Sequence, residues 1–266
     1  KNKFLKMFLH KLYSRMNMIS VCIPTYNGMF YIKEQIQSIL KELGENDEII
    51  ISDDGSTDRT IEIINEISDA RIKVFTNSLK SDAKFNYRTE YLLKKVSLNV
   101  QNALAHCKGE YIYLADQDDI WCEGRISHTL PALKEKKPTL IICDCTVIDE
   151  HKKVTQKSYF EYTPPSDSIL RTLFKSSFHG CCMCFNRALL EKTFPFPEYS
   201  LGHDLWIGLS AMKFGVVKFN TLPLVLYRRH LSTVTMTGNK SKNTLGFKLK
   251  YRFMMLVEYL KAGKNK

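Results

Sequence analysis

The stretch that decides the fold is EIIISDDGSTD at residues 48–58, in which a run of isoleucines ends in acidic and turn-forming residues. A short β-branched run that stops at Asp-Gly indicates a buried strand closed by a turn. A similar run, ISVCIPTYN at residues 19–27, precedes it, and apolar residues at helical spacing fill the interval. Strand, helix and strand in this order predict a βαβ unit on a parallel sheet.

Outward from this unit, strands and helices are predicted to alternate over most of the chain. The polar, basic segment 80–96 lacks such a pattern, and we predict a surface excursion there. We expect one α/β domain at 18–235, whose Rossmann-like, mixed but mostly parallel sheet is flanked by helices. The remaining predicted elements are strands at 71–76, 111–115, 140–148, 181–185, 216–219 and 222–228, and helices at 31–43, 58–67, 98–107 and 204–214.

Positive charge gathers at the two ends of the chain, which has a formal net charge of +11. We predict a basic extension at 1–17 and a basic amphipathic helix at 236–266. Such helices either lie on an anionic membrane surface or dock on their own domain, and both alternatives stay open. No apolar run reaches the roughly 18 residues that a membrane-spanning helix needs. With no export signal evident, we expect a cytoplasmic protein that can lie peripherally on the inner face of the cell membrane.

Eight cysteines occur, and in a cytoplasmic protein they are expected to be reduced. Cys143 with Cys145 and Cys181 with Cys184 have spacings that a zinc site can use. Both pairs lie in apolar, strand-like runs, however, where cysteine behaves as a small buried hydrophobe. This context favours buried thiols over a zinc site.

Three polar clusters follow predicted strands, at 24–27, 53–58 and 116–119. Because ligands of open α/β sheets bind beyond the carboxyl ends of the strands, these clusters are expected to converge on one site. Their carboxylates suit Mg²⁺ or Mn²⁺, which share their coordination shell with substrate phosphates. Asp53 and Asp54 have the alternative of forming an Asx-turn, and Asp58 that of capping a helix. The chain has no Gly-rich phosphate loop, which argues against dinucleotide enzymes and P-loop NTPases.

Four segments together carry a family resemblance. They are VCIPTYN at 21–27, DDGSTD at 53–58, KGEYI at 108–112 with DQDD at 116–119, and GHDLW at 202–206. Over about residues 18–230 the chain resembles the family 2 inverting glycosyltransferases, which have the GT-A fold. The D-Q-D-D-x-W and H-D-x-W forms look closest to rhamnosyltransferase-like members.

The resemblance implies an enzyme that moves a sugar from a UDP- or dTDP-linked donor to an acceptor hydroxyl with Mn²⁺ or Mg²⁺. It implies a role in bacterial surface polysaccharide synthesis, with a saccharide or lipid-linked saccharide as acceptor and no nucleic-acid partner. Asp204 is implied as the general base, which typically contributes about 10²–10⁴-fold in rate. The residues implied to bind the nucleotide are Pro24, Tyr26, Asn27, Asp53, Asp54 and Asp116, and those implied to bind the metal are Asp118 and His230.

Several assignments keep alternatives. Arg228 and Arg229 either contact phosphate or are solvated. Trp206 either forms a platform for the acceptor or packs in the core, and Asp204 has the alternative of merely capping a helix. At the level of the whole protein, the alternatives are a sugar-nucleotide pyrophosphorylase and a basic membrane- or nucleic-acid-binding module. The first is expected to carry a Gly-rich phosphate signature, and the second leaves the acidic clusters without a purpose. A sugar-nucleotide-binding module without transferase activity also stays open.

Overall fold

The structure, a computed structural model, describes residues 17–82, 87–230 and 245–263. The predictions made for 1–16, and for parts of the segments 80–96 and 236–266, lie outside these residues. The described strands form one nine-stranded sheet. They are β1 (Ile19–Thr25), β2 (Glu48–Asp53), β3 (Ile72–Thr76), β4 (Tyr111–Leu114), β5 (Ile120–Trp121), β6 (Thr139–Asp149), β7 (Val154–Gln156), β8 (Met183–Asn186) and β9 (Val216–Arg229).

Helices cover both faces of this sheet, and the sheet separates two hydrophobic clusters. On one face, Ile32, Ile36 and Ile39 are fully buried at the spacing that predicted their helix. None of the described helices is long and apolar enough to cross a membrane. The helices are α1 (Ile32–Leu40), α2 (Thr60–Glu66), α3 (Arg88–His106), α4 (Arg125–Leu133), α5 (Ile169–Phe174), α6 (Arg187–Thr193), α7 (His203–Phe214) and α8 (Leu245–Lys261).

The strand order is β3-β2-β1-β4-β8-β6-β9-β5, with β7 paired to β6. The first four strands are parallel, and β8 joins them to the second half of the sheet through antiparallel pairs. This architecture confirms the predicted α/β fold class. In the parallel half, Thr25 pairs with Asp53, Asp53 with Thr76, and Cys22 with Leu114. The three polar clusters therefore leave the sheet at the same edge, as predicted.

The second half differs from the prediction at β9. Two strands were expected at 216–219 and 222–228, but β9 is one strand that pairs with β6 in parallel and with β5 antiparallel. Its register shifts opposite Asp144, next to Pro223. A bulge accommodates a proline, which cannot donate to the ladder, so the apparent break in the sequence does not end the strand.

Helix α3 begins at Arg88, although the sequence predicted irregular structure up to residue 96. Its first turns read as polar because Glu90 and Lys94 lie there, yet both side chains are buried. Lys94 Nζ donates to the carbonyl of Glu198 at 2.5 Å, and Glu90 pairs with Lys250 at 2.8 Å. These partners are distant in sequence, so the local pattern could not reveal the helix. Helices α4, α5 and α6 and strands β5 and β7 were also not predicted.

All eight cysteines are free thiols, and seven of them are buried. Cys143 and Cys145 lie in β6, and Cys184 lies in β8. Burial raises the pKa of Cys184 to about 12, which keeps its thiol protonated. The structure thus agrees with the interpretation of these cysteines as buried thiols, which their apolar sequence context favoured.

Candidate active site

Gln117 ties the first and third polar clusters together. Its Oε1 accepts hydrogen bonds from Thr25 Oγ1 at 2.6 Å and from the amide of Tyr26 at 3.0 Å. Its Nε2 donates to the carbonyl of Tyr26 at 3.2 Å. The second cluster joins through Asn27, whose amide donates to Ser56 Oγ at 2.9 Å. The sequence predicts Asn27 as a nucleotide ligand, and the structure shows that Asn27 links two loops. The sequence does not single out Gln117.

Asp53 shapes its own loop. Its Oδ2 accepts from the amides of Gly55 at 3.1 Å and Ser56 at 2.9 Å. Gly55 has a φ of +82°, which favours glycine in such a turn. The Asx-turn alternative thus describes Asp53, and the structure gives no support for a direct base contact. The N-cap of α2 is Arg59, so Asp58 is not the capping residue, although its Oδ1 accepts from the amide of Thr60, the first residue of the helix, at 3.0 Å.

Asp54 is partly buried and lies close to an aromatic ring. Its Oδ2 is 2.8 Å from Lys95 Nζ, and its Oδ1 accepts from Asn77 Nδ2 at 3.0 Å. The hydrogen bond to Asp54 raises the pKa of Lys95. Lys95 Nζ also lies 4.7 Å from the centre of the Tyr26 ring, which is 48% exposed. A half-exposed aromatic ring beside a hydrogen-bonding carboxylate suits a planar base. Pro24, near the end of β1, is partly buried.

Asp118 and His230 meet across 112 positions of sequence. His230 Nε2 lies 2.8 Å from Asp118 Oδ2, and the side chains are 10% and 17% exposed, respectively. The Tyr31 ring lies 4.8 Å from the imidazole. The antiparallel pairing of β9 with β5 delivers His230 to the acidic loop. One carboxylate and one imidazole, both reachable from solvent, fit a divalent cation such as Mn²⁺, whose remaining ligands would come from phosphate or water.

Arg228 holds this loop in place. Its guanidinium is 1% exposed, donates to the carbonyl of Asp118 at 2.8 Å and pairs with Glu34 at 2.8 Å. Its amide donates to Asp119 Oδ1 at 2.8 Å. The structure therefore does not support the prediction that Arg228 contacts phosphate. Arg229 is partly exposed and donates to the hydroxyl of Tyr227 at 3.2 Å; its predicted contact with phosphate stays a prediction.

A second acidic group lies deeper, where potential ligand atoms of Asp116, Asp119 and Cys181 lie within 4.8 Å of one another. Burial, then the charges of Asp118 and Asp116, raises the pKa of Asp119. Burial, then the charges of Asp118 and Asp204, raises the pKa of Asp116 to about 7. We favour the Asp118–His230 pair as the metal site because Asp119 is fully buried, with one oxygen already accepting a backbone hydrogen bond.

Asp204 lies in the first turn of α7, two residues after the helix N-cap at Gly202. It is therefore not the capping residue, although a carboxylate in the first turn is stabilised by the helix dipole. A β-carbon at position 202 would lie 2.9 Å from Asp204 Oδ1 and 2.7 Å from the hydroxyl of Tyr251. Burial, followed by the charge of Asp204, raises the pKa of Tyr251. Asp204 also lines a cleft of about 180 Å³ beside α8.

Trp206 and His179 lie near Asp204. Trp206 is 3% exposed and donates to the carbonyl of Thr193 at 2.9 Å, so it packs in the core and is not a platform for an acceptor. His179 has a buried Nε2 with no hydrogen-bond partner among the described residues. Burial lowers its pKa to about 4, which keeps the ring neutral. The sequence gave His179 no role, since no motif distinguishes it.

A mixed sheet with three polar clusters at one edge, a carboxylate–imidazole pair and a helix-borne carboxylate fits the class of α/β enzymes that bind nucleotide sugars. The family model for glycosyl transferase family 2 matches residues 20–194. The chain therefore belongs to glycosyl transferase family 2.

Two curated relatives come from Escherichia coli and are named UDP-Glc:alpha-D-GlcNAc-diphosphoundecaprenol beta-1,3-glucosyltransferases. WfaP is 28% identical over 93% of this chain and 94% of its own length. WfgD is 25% identical over 85% of this chain and 81% of its own. The predicted likeness to rhamnosyltransferases finds no support in these two names and stays a prediction.

Solved structures share the fold. Staphylococcus aureus TarS (residues 1–349) in complex with UDP-GlcNAc superposes with a TM-score of 0.65 at 18% identity, covering 93% of this chain and 68% of that one. Glucosyl-3-phosphoglycerate synthase from Mycobacterium tuberculosis, crystallised with Mn²⁺ and UDP, gives a TM-score of 0.57 at 17% identity, covering 91% and 80%. At these identities the likeness establishes the GT-A fold.

Proposed function

We propose that this family 2 glycosyltransferase transfers a sugar from a UDP-linked donor to a hydroxyl of a lipid-linked saccharide, with inversion at the anomeric carbon. The observation that carries the proposal is the contact of Asp118 with His230. This contact lies at the same sheet edge as the polar clusters at 24–27 and 53–58. The printed names of WfaP and WfgD, and the UDP complexes of the structural neighbours, support the choice of donor and acceptor.

The residues divide the work in space. Tyr26 and Asp54, with Lys95 beside them, would hold the uracil base at the ends of β1 and β2. Asp118 and His230 would hold the divalent cation, which when bound supplies positive charge to the departing diphosphate. These two groups thus serve the leaving-group side of the reaction.

Asp204 would serve the acceptor side. Its carboxylate would accept the proton of the acceptor hydroxyl as that oxygen forms a bond to the anomeric carbon. The bond from this carbon to the diphosphate oxygen breaks at the same time, and the nucleoside diphosphate leaves. Attack from the side opposite the diphosphate inverts the anomeric configuration.

A thermal-shift screen with UDP, dTDP and GDP, with and without Mn²⁺, tests the donor side. A bound ligand stabilises by RT ln(1 + [L]/Kd), so the true nucleotide should raise the melting temperature. We expect a Mn²⁺-dependent shift with UDP that is lost in Asp118→Ala and His230→Ala. The exposed Asp167→Ala is the matched control and should keep it. If UDP raised the melting temperature of the wild type equally with and without Mn²⁺, the assignment of Asp118 and His230 as the metal site would be refuted.

A second experiment separates binding from chemistry. Asp204→Asn keeps the size of the side chain but not its basicity, so we expect a wild-type UDP shift with release of UDP from the donor reduced about 10²-fold or more. Wild-type turnover in this variant would exclude Asp204 as the base. UDP binding without turnover in the wild type, over the tested donors and acceptors, would favour the binding-module alternative.

A further inference from the structure

Helix α8 has two apolar faces. Phe247 and Met255 are buried at 5% and 0% exposure, and Met255 joins the core cluster that includes α7, so the helix docks on its own domain. Leu249, Phe253 and Leu260 are 53%, 66% and 54% exposed. Their spacing of four and seven residues places them along one stripe of the helix. Docking on the domain therefore leaves a second apolar stripe in solvent.

Helix α5 extends this stripe. Leu170 and Phe174 are 68% and 65% exposed. Arg252 of α8 donates from Nε to the carbonyl of Leu173 at 3.0 Å and lies 4.9 Å from the centre of the Phe174 ring. The two helices are thus joined into one surface, which we call the α5–α8 surface. It is defined by the side chains of Leu170, Phe174, Leu249, Phe253 and Leu260.

Cations accompany the α5–α8 surface. Residues 245–263 of α8 and its end carry four lysines and arginines against one glutamate, a net charge of +3. Lys248 and Arg252 form no ion pair with any residue of the described ranges. Arg171 and Lys175 are exposed on and beside α5. Large apolar side chains beside cations that form no ion pair are typical of a surface that lies on an anionic bilayer.

A second copy of this chain fits the surface less well. Pairing the surface with itself would bring the same cations together, and like charges across an interface are unfavourable. An anionic lipid surface satisfies both features, because headgroup phosphates meet the cations while the apolar side chains enter the acyl boundary.

The cleft at Asp204 opens beside this surface. Its lining includes Phe174 and Arg252 of the α5–α8 region, Lys248 and Tyr251 of α8, and Asp204 itself. We propose that the α5–α8 surface docks on an anionic membrane and so holds the Asp204 cleft at headgroup level. The benefit for catalysis rests on the proposed function, because only a lipid-linked acceptor gains from it, but docking itself does not depend on the donor.

Co-sedimentation with phosphatidylcholine vesicles, with and without phosphatidylglycerol, tests the proposal in the absence of nucleotide. We expect pelleting that requires phosphatidylglycerol and weakens with salt. In Leu249→Ser/Phe253→Ser the partition coefficient should fall about tenfold or more, since each side chain removes apolar area from the bilayer. The matched control is Val154→Ser/Leu222→Ser, which changes side chains that are 49% and 43% exposed elsewhere on the chain. The control should bind as the wild type does.

Charge reversal gives an independent arm. Lys248→Glu should weaken vesicle binding about tenfold or more, because lysine near an anionic surface contributes attraction that glutamate reverses. Lys136→Glu, at an exposed position away from α5 and α8, should bind as the wild type does. Melting temperatures of all variants establish that each is folded.

Three outcomes of the vesicle assays would contradict the proposal that the α5–α8 surface docks on a membrane. They are equal pelleting of Leu249→Ser/Phe253→Ser and the wild type, vesicle binding that does not depend on phosphatidylglycerol, and a loss of vesicle binding in the control variants as large as in the test variants. Sedimentation velocity supplies the fourth, since a dimer that this double variant dissociates would assign the surface to self-association. A wild type that binds vesicles but shows no UDP shift would instead refute the proposed function and leave the docking surface standing.

Discussion

Gly202→Ala tests whether the backbone before α7 positions the carboxylate of Asp204, the proposed general base. A β-carbon there would lie 2.7 Å from the Tyr251 hydroxyl and 2.9 Å from Asp204 Oδ1, whereas unstrained contacts of this kind begin near 3.4 Å. The differences, 0.7 Å and 0.5 Å, are the displacements that the two oxygens must undergo. Gly202 has φ −112° and ψ 116°, so alanine meets no backbone strain.

The expected effect is on chemistry rather than on stability. A misplacement of 1 Å at a reacting group can cost about 10²-fold, so a shift of half that size should lower kcat about tenfold. The melting temperature should change little, because alanine lowers the conformational entropy of the unfolded chain and this gain offsets the cost of local repacking. UDP affinity should be unchanged, since Gly202 lies beside Asp204 and not among the residues proposed to bind the nucleotide. The assay is steady-state release of UDP, with isothermal titration calorimetry for the nucleotide.

A matched glycine sharpens the test. Gly246→Ala lies near the start of α8, where the new β-carbon would meet the Tyr87 hydroxyl at an ordinary 3.4 Å. This variant should keep the wild-type kcat. Tyr251→Phe in the Gly202→Ala background removes one of the two close contacts, so we expect at most partial recovery. A wild-type kcat in Gly202→Ala, or the same loss in Gly246→Ala, would refute the reasoning that the glycine positions Asp204.

Three further substitutions test the metal site, the site proposed for the uracil base and a buried carboxylate of the sheet. His230→Ala should raise the Mn²⁺ concentration for half-maximal UDP release about tenfold or more, read from a Mn²⁺ titration after chelation; an unchanged midpoint would contradict its role. Lys95→Ala removes the partner of Asp54 and should weaken UDP binding about two- to fivefold by calorimetry, with tighter binding as the contrary result. Burial disfavours ionised Glu48, but hydrogen bonds from Lys73, a serine and a backbone amide outweigh it and lower its pKa. The resulting stability is present above the unfolded pKa of about 4.3 and is lost as pH falls through the lower folded value. Glu48→Gln should therefore cost about 1–3 kcal/mol at neutral pH and flatten the acid limb of urea-unfolding curves, and an unchanged limb would contradict this.

The sequence determined the parallel half of the fold and the location of the site. Its β-branched runs and turn residues are local signals, and parallel strands bring their carboxyl ends to one edge whatever the details of packing. The clusters at 24–27, 53–58 and 116–119 could therefore be expected to converge before any coordinate was known. The family motifs likewise identified the transferase class, which the family match confirms.

Only the tertiary structure decided what each polar residue does there. Asp53 and Asp54 are neighbours with the same side chain, yet one closes a turn while the other faces a lysine. Arg228 and His230 lie two residues apart, yet one is buried as an anchor and the other reaches Asp118. Such differences depend on partners far away in sequence, because burial and hydrogen bonding belong to the packed chain and not to the local pattern. The same cause hid the first turns of α3, whose polar residues find their partners only after the chain has folded.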